Sequence, residues 1–157
     1  MDEERYKQEC GTFDKRTEDN LTTLLPSLQR VVRRWLSEKV NPWALSQGLV
    51  ARVICGTRTI IEQDRLYSQG RTTKGAKVTN ARGGNSYHNY GVAFDLGLFT
   101  QNGEYLTSDE PYKALYDACN APEGMTWGGK WKSLRDTPHY QSSKYNTISA
   151  LKKEFMR

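Results

Sequence analysis

Histidine and cysteine are scarce in this chain of 157 residues, which contains two histidines and three cysteines. The cysteines, Cys10, Cys55 and Cys119, are widely spaced and form no CxxC pair, so the sequence predicts no disulfide framework. We expect Cys55 and Cys119, which lie in apolar stretches, to be buried thiols. No apolar run approaches the ~18 residues of a membrane span, so no stable membrane insertion is expected. The charged residues 2–5 are not typical of a secretory signal.

Apolar residues are also few, at 36% of the chain, which predicts a modest hydrophobic core. Aromatic residues make up 11%, however, and this share argues against a disordered chain. The length corresponds to one domain. The formal net charge is +5, and such a positive field favours anionic partners such as nucleic acid, acidic lipid or bacterial wall polymers. Charge alone does not choose among them.

Two segments are distinguished by their polarity. Residues 1–19 are expected to be a loosely held polar segment ahead of a domain that spans residues 20–157. Residues 71–86 combine four basic side chains with several glycines and few apolar groups, which predicts a long surface loop. Loops of this length in a compact domain are often lids or binding loops.

The first regular element is predicted to be a helix. Between residues 21 and 36, apolar residues recur at steps of three and four, which is typical of one face of a helix. We expect Asn20 to cap this helix and Pro26 to lie in the first turn of its regular part. Asn41-Pro42 is expected to end it.

The rest of the chain alternates between strand and helix patterns. The next predicted elements are a strand over 50–55 and a helix over 60–69, which Thr59 caps and in which Ile60, Ile61, Leu66 and Tyr67 face inward. A strand over 92–99 follows, and then a hairpin at Asn102-Gly103 with a return strand from Tyr105. The last predicted elements are a helix over 109–119, a turn-rich strand region over 127–140, and a helix from Asn146 or Thr147 to Phe155. This mixture predicts an α+β fold in which N-terminal helices pack on a small antiparallel sheet.

The residues with the most distinctive chemistry surround the two histidines. His88 precedes a predicted strand, Asp95 lies in that strand, and His139 follows much later. Two imidazoles and one carboxylate suit a zinc ion with an open position, as in catalytic zinc sites. Asp136 would then be a nearby carboxylate that can take a proton from the attacking water. The spacing also leaves open a hydrogen-bonded histidine–aspartate pair without metal.

The stretch around His88 and Asp95 has the pattern S-x-H-x-x-G-x-A-x-D, and D-x-x-H follows at 136–139. This combination resembles the signature of zinc peptidases of the D-Ala-D-Ala carboxypeptidase and dipeptidase group. The resemblance is closer to the L-alanyl-D-glutamate peptidase branch, which includes bacteriophage endolysins. Further segments that resemble this branch are 24–29, 62–71 and 127–131, so the resemblance covers roughly residues 20–142.

This resemblance implies a role for each matching residue. It implies zinc ligands at His88, Asp95 and His139, with one zinc ion per chain. It implies a catalytic acid/base at Asp136, since aspartate at this position is typical of the peptidoglycan endopeptidases.

The resemblance assigns further residues less sharply. Arg58 matches an arginine that faces the scissile region of the substrate, where a guanidinium can hold a carboxylate or stabilise oxyanion charge. A structural role for Arg58 is also open. Ser86 matches the motif serine, either as a substrate hydrogen bond or as a stabiliser of the turn. The Tyr140 ring is expected to pack beneath the site, and Trp127 and Trp131 either line the cleft or belong to the core.

The function that the resemblance implies is hydrolysis of the L-Ala–D-Glu bond in the stem peptide of peptidoglycan. The implied fold is that of the D,D-peptidases and Hedgehog proteins, and we expect a monomer. The alternatives are a D-Ala-D-Ala carboxypeptidase or dipeptidase, and a non-catalytic zinc or anion-binding module. Nucleic acid is disfavoured because the sequence has no dense basic patch with interleaved aromatics.

The likeness to endolysins also implies where the protein acts. We expect synthesis in the cytoplasm of a host cell and action on the cell wall after a holin opens the inner membrane. The charged residues 2–5 fit this route because they provide no export signal. Lysis of the host cell would be the outcome.

Overall fold

The computed structural model describes residues 13–156, which contain six α-helices and four β-strands. The helices are α1 Lys15–Leu21, α2 Pro26–Trp35, α3 Asn41–Ser46, α4 Ile60–Ser68, α5 Asp109–Cys119 and α6 Ile148–Phe155. The strands are β1 Leu49–Cys55, β2 Ala93–Thr100, β3 Met125–Trp127 and β4 His139–Ser142. Within these residues, no helix combines the length and apolar character needed to cross a membrane.

The four strands form one antiparallel sheet with the order β1-β2-β4-β3. β4 comes last in the sequence but lies between β2 and β3. The predicted α+β class with a small antiparallel sheet is therefore confirmed.

The N-terminal helix is divided in two, unlike the single helix predicted from the sequence. Asn20 does not cap a helix, because it lies inside α1 and its Nδ2 donates to the Val53 carbonyl at 2.8 Å. Leu25 precedes a proline and takes an extended conformation, since that position disfavours the helical one, and α2 starts at Pro26 as expected. The expected polar segment 1–19 overlaps α1, where Thr17 is buried and accepts from the Val53 N–H at 3.1 Å. Residues 1–12 lie outside the described part.

Asn41-Pro42 does not end the helical region. A π-helical turn, Leu36–Val40, joins α2 to α3, and the Asn41 N–H donates to the Leu36 carbonyl. Pro42 then lies in the first turn of α3, a position that proline tolerates. The sequence prediction was wrong here because proline at such a position is compatible with a new helical segment.

Helix α4 begins as predicted, with the Thr59 hydroxyl accepting from the Glu62 N–H at 3.0 Å. Its inward face differs from the prediction, because Ile60 and Ile61 are exposed and Gln63 is fully buried. Gln63 Nε2 donates to the Ala81 carbonyl at 2.9 Å, so this face holds the long loop. A polar contact, not an apolar one, determines which side of α4 is buried.

The predicted return strand after Asn102-Gly103 is not formed. Tyr105 makes an isolated bridge to Phe99. The phenol oxygen of Tyr112 in α5 accepts from the Leu98 N–H at 3.0 Å and donates to the Leu106 carbonyl at 2.7 Å. This side chain takes the bonds that a longer hairpin would have made between backbones.

The core lies between the sheet and helices α1, α2 and α5. Tyr140 is buried, stacks on Phe94 at 5.2 Å between centroids, and meets the edge of Trp35. The Tyr140 ring, expected to pack beneath the site, is in the core, and its stacking partner adjoins Asp95 in the sequence. This aromatic cluster supports strands β2 and β4 at the point where the functional side chains emerge.

Candidate metal centre

Two neighbouring strands and one turn position the three predicted ligands. Asp95 on β2 is directly opposite His139 on β4 in the antiparallel register. His88 lies in a 3-10 turn, Tyr87–Tyr90, that precedes β2. Gly91 ends this turn with φ of 74°, a left-handed conformation that glycine adopts without strain, and so directs the chain into β2.

Three side-chain atoms converge at this point. His88 Nε2 lies 3.2 Å from Asp95 Oδ1, and His139 Nδ1 lies 3.1 Å from the same oxygen. The two ring nitrogens are 3.1 Å apart. Both imidazoles are buried, and the structure therefore brings together all three predicted ligands.

The outer nitrogen of each imidazole has an acceptor of its own. His88 Nδ1 lies 2.9 Å from the Gly56 carbonyl oxygen, and His139 Nε2 lies 2.9 Å from Gln141 Oε1. A neutral imidazole has one N–H, and these contacts place it on the outer nitrogen. Two bare nitrogens and a carboxylate oxygen then face one another, which a cation satisfies. The residues present fit a zinc ion.

The electrostatics show the same preference for positive charge. Burial alone would lower the pKa of His88, but its bonds to Asp95 and Cys55 outweigh burial and raise that pKa to about 10. Burial alone would raise the pKa of Asp95, yet the two histidines hold it well below its usual range. Without metal, a proton therefore neutralises part of this cluster.

Asp136 lies beside the cluster on the segment that leads into β4. Donor atoms of Asp95, Asp136 and His139 lie within 4.8 Å of one another, and Asp136 is open to solvent. Its pKa is raised, first because neighbouring protein atoms partly desolvate the carboxylate and second because Asp95 is negative. The raised pKa suits a group that exchanges a proton during a reaction.

The backbone of this segment is held closely by Gly128. The Asp136 N–H donates to the Gly128 carbonyl, and a Cβ on Gly128 would lie 2.5 Å from the Asp136 carbonyl oxygen. The Trp127 indole donates to the Thr137 carbonyl at 2.7 Å. Trp127 is buried in the core, so it anchors the Asp136–His139 segment from below.

Arg58 lies near the second carboxylate oxygen of Asp95. Its Nη2 is 3.9 Å from Asp95 Oδ2, and its Nη1 donates to Gln63 Oε1 at 3.3 Å. The Arg58 N–H donates to the His88 carbonyl at 2.8 Å, which ties the two segments together. The guanidinium is about one quarter exposed, so one side remains accessible to a ligand.

Ser86 caps the turn that carries His88. Its hydroxyl accepts from the His88 N–H at 3.2 Å, and Asn89 Oδ1 accepts from the Ser86 N–H. The turn-stabilising role that the sequence left open is thus present in the structure. Ser86 also lines the cleft beside His139, so a contact with substrate remains a proposal.

The cleft next to the cluster has a volume of about 480 Å³ and is lined by residues from the long loop, β4 and the segment before it. Trp131 is half-buried there, with its ring 5.3 Å from that of His139. The two tryptophans therefore divide between the alternatives, since Trp131 lines the cleft and Trp127 belongs to the core.

Sequence reasoning missed two neighbours of the histidines. Cys55 is half-buried, not fully buried as expected, and its Sγ lies 3.7 Å from His88 Nδ1. Gln141 follows His139 by two residues, and residues so spaced in a strand share one face, which was the available signal. Cys119 is buried as predicted, and Cys10 lies outside the described residues.

Comparisons with known proteins agree with this site. A family model described as D-alanyl-D-alanine carboxypeptidase matches residues 79–142, which include His88, Asp95 and His139. The chain is 41% identical over 125 residues to the peptidoglycan L-alanyl-D-glutamate endopeptidase CwlK of Bacillus subtilis, covering 74% of this chain and 75% of CwlK. This chain belongs to the M15 peptidase family. The predicted family is therefore confirmed.

Solved structures are similar to this M15 peptidase over most of its length. The L-Ala D-Glu endopeptidase ChiX of Serratia marcescens has a TM-score of 0.57 and 25% identity, over 83% of this chain and 89% of ChiX. The D,D-pentapeptidase VanY in complex with Zn(II) has a TM-score of 0.47 and 20% identity, over 82% of this chain and 77% of VanY. The identity to CwlK and the matching family model show that this chain is an enzyme, so the non-catalytic alternative is not supported.

Proposed function

We propose that this M15 peptidase is a zinc-dependent endopeptidase that cleaves the L-Ala–D-Glu bond of peptidoglycan stem peptides. The observation that carries the zinc dependence is the convergence of His88 Nε2, His139 Nδ1 and Asp95 Oδ1 within 3.2 Å of one another. The bond specificity is supported by the 41% identity to CwlK, whose described activity is this cleavage.

His88, Asp95 and His139 would hold the zinc ion as three protein ligands, which leaves a further position open. When bound there, zinc would polarise the scissile carbonyl and make water a stronger acid. The Gly56 carbonyl and Gln141 Oε1 accept hydrogen bonds from the outer ring nitrogens of His88 and His139, which keeps the inner nitrogens turned towards the metal position.

Asp136 would act as the general base and then as the general acid. Its carboxylate accepts a proton from the attacking water as the new C–O bond forms. It returns that proton to the D-Glu nitrogen as the C–N bond breaks. If His88, Asp95 and His139 supply the three protein ligands, the Asp136 carboxylate beside them is free for both steps.

Arg58 would bind the α-carboxylate of D-Glu. The stem peptide continues through the D-Glu side chain, so this carboxylate is free and lies next to the scissile amide. A guanidinium can hold it through two parallel hydrogen bonds. The proximity of Arg58 to Asp95 and its quarter-exposed side chain support this role.

Digestion of purified peptidoglycan, with and without a chelator, tests the proposal. We expect new D-Glu amino termini and glycan strands that keep L-Ala, detected by end-group labelling and mass spectrometry. The activity should disappear with the chelator and return with zinc. Because the matching family model is described as a D-alanyl-D-alanine carboxypeptidase, free D-Ala is the product that would refute the specificity.

We further propose that the protein acts as a monomer and lyses a host cell after release from its cytoplasm, which the sequence resemblance to endolysins supports. Coexpression with a holin in a Gram-negative cell tests this role. We expect rapid lysis with the wild-type chain and none with Asp136→Asn. Equal lysis by both chains would show that the peptidase does not cause it.

A further inference from the structure

Gln141 carries an NH2 group that the proposed chemistry has not yet used. It lies on β4, two residues after His139, and faces the same cleft. Its Oε1 lies 2.9 Å from His139 Nε2, and the side chain is half-buried. Gln141 therefore touches a proposed zinc ligand on one side and the substrate cleft on the other.

The contact with His139 determines which ring nitrogen can face the metal. A carbonyl oxygen accepts a hydrogen bond and cannot donate one, so His139 Nε2 carries the proton. His139 Nδ1 is then bare and points towards Asp95 and His88. For a neutral histidine, the amide oxygen of Gln141 thus selects the tautomer that binds a cation.

The same contact orients the other half of the amide. With Oε1 turned to His139, the NH2 group of Gln141 has no hydrogen-bond acceptor among residues 13–156. It lies in the cleft that Asp136 and Trp131 also line. In a peptidase cleft, an unpaired amide N–H can donate a hydrogen bond to an oxygen atom of a bound peptide.

We propose that Gln141 is a positioning residue for His139 through its carbonyl oxygen and a substrate-binding residue through its NH2 group. The substrate atom it would bind is a carbonyl or carboxylate oxygen of the stem peptide. This inference rests on the proposed zinc-dependent function. The acceptor for His88 is a backbone carbonyl, that of Gly56, which a side-chain substitution does not remove. The acceptor for His139 belongs to a side chain, so substitutions of Gln141 can separate its two roles.

Two substitutions separate the roles. Gln141→Glu keeps an acceptor for His139 but removes the NH2 donor, whereas Gln141→Leu removes both. Gln101→Leu is the matched control, since Gln101 is exposed at the far end of β2. Thermal unfolding in the presence of a chelator establishes that each variant is folded before zinc is added.

The zinc affinity tests the positioning role, by competition with a chromophoric chelator. Loss of a hydrogen bond to a metal-binding histidine typically weakens binding 10- to 100-fold. We expect about this loss in Gln141→Leu, and affinities close to wild type in Gln141→Glu and Gln101→Leu. Wild-type affinity in folded Gln141→Leu would refute the positioning role.

The Michaelis constant, measured at saturating zinc, tests the substrate role. The substrate is a stem peptide whose D-Glu α-carboxylate is amidated, because an ionised carboxylate would be repelled by the negative charge that Gln141→Glu introduces. One lost hydrogen bond corresponds to a change of about 3- to 10-fold. We expect KM to rise by this factor in Gln141→Glu while its zinc affinity stays unchanged. An unchanged KM would refute the substrate role.

Nitrogen NMR provides a measurement that does not depend on the variants. The chain has two histidines, so the four ring nitrogens can be assigned in ¹⁵N-labelled protein loaded with zinc. We expect His139 to be protonated at Nε2 and metal-bound at Nδ1. The reverse assignment would refute the inference while leaving zinc binding intact, whereas a wild-type chain that binds no zinc would refute the proposed function as well.

Discussion

The carboxylate of Asp136 is the group whose loss should lower the rate of peptide hydrolysis most directly. Asp136→Asn keeps the shape of the side chain but cannot accept a proton, so we expect zinc binding to persist and kcat to fall by about 10²–10⁴. Steady-state kinetics and metal analysis on the same sample measure both. Asp117→Asn is the control, because Asp117 is an exposed partner of Lys113 away from the site. Loss of zinc from Asp136→Asn would make Asp136 a ligand instead.

The raised pKa of Asp136 leads to a second prediction. The base must be ionised to accept a proton, so its protonation in acid lowers activity. In the metal-free protein, desolvation and the negative charge of Asp95 raise this pKa, and a bound zinc ion would lower it because its positive charge favours the carboxylate. The acid limb of kcat/KM, measured with zinc held saturating at each pH, should therefore lie below the pKa that carboxyl-carbon NMR gives for Asp136 in chelator-treated protein. An acid limb that moves when the zinc concentration is raised would report loss of metal and not the titration of Asp136.

Arg58 can be tested through the substrate as well as through the enzyme. Arg58→Ala should retain zinc and lower kcat/KM by about 10- to 100-fold, the worth of hydrogen bonds to a charged group. Arg58→Lys keeps the charge without the planar fork and should recover part of this loss. Amidation of the D-Glu α-carboxylate should slow the wild-type enzyme and leave Arg58→Ala unaffected. Equal sensitivity of both enzymes to amidation would separate Arg58 from that carboxylate.

Much of the candidate site could be predicted at the level of single residues. His88, Asp95 and His139 were identified because their types and order match a recognisable pattern, and the structure brings them together. The orientation of the imidazoles could not be predicted, because one acceptor is the backbone carbonyl of Gly56. Such a carbonyl exists at every position in the chain, and the fold alone determines which one meets a histidine.

At the level of elements, the segment between β3 and β4 is held in place by a glycine. Gly128→Ala would place a Cβ 2.5 Å from the Asp136 carbonyl oxygen and 3.2 Å from the His139 Cβ, so this segment must shift. We expect a loss of about 1–3 kcal/mol in the free energy of unfolding, together with weaker zinc binding. Thermal unfolding and a zinc titration measure the two effects.

Gly103→Ala is the control for that substitution. Gly103 has a positive φ of 88°, unlike Gly128, but nothing lies within 4 Å of its added Cβ. It should therefore lose some stability through backbone strain and keep wild-type zinc affinity. If Gly128→Ala also keeps wild-type affinity, the close packing of Gly128 does not control the metal centre.

The elements themselves were predicted unevenly, for physical reasons. The start of α4 at Thr59 and the course of β1 and α5 followed from local capping and alternation. The break between α1 and α2 depends on Leu25 preceding a proline, and the missing return strand depends on Tyr112 in α5, the helix that follows it. The periodicity of apolar residues shows neither the conformation of a residue before proline nor the backbone groups that a tyrosine hydroxyl binds.

The molecule as a whole should respond to pH in opposite ways with and without metal. In the metal-free protein, the raised pKa of His88 makes its charged form stabilising, a contribution that is complete below pH 6.5 and lost as the pH rises towards about 10. Zinc needs both imidazoles neutral, so its stabilisation grows over the same interval. The difference in Tm between stoichiometrically zinc-loaded and chelator-treated protein should therefore increase with pH. A difference that stays constant or shrinks would contradict this linkage.

The position of β4 has a consequence for the order in which the molecule can be completed. This strand is the last of the four to be synthesised, and β3 has no neighbour in the sheet until β4 is inserted beside β2. His139 is the first residue of β4, and it lies 51 residues after His88. A nascent chain that stops before β4 lacks one of the proposed ligands, however well its earlier parts have folded. Metal uptake would therefore follow the insertion of β4 into the sheet, and zinc would reach the complete site only after the ribosome has made all four strands.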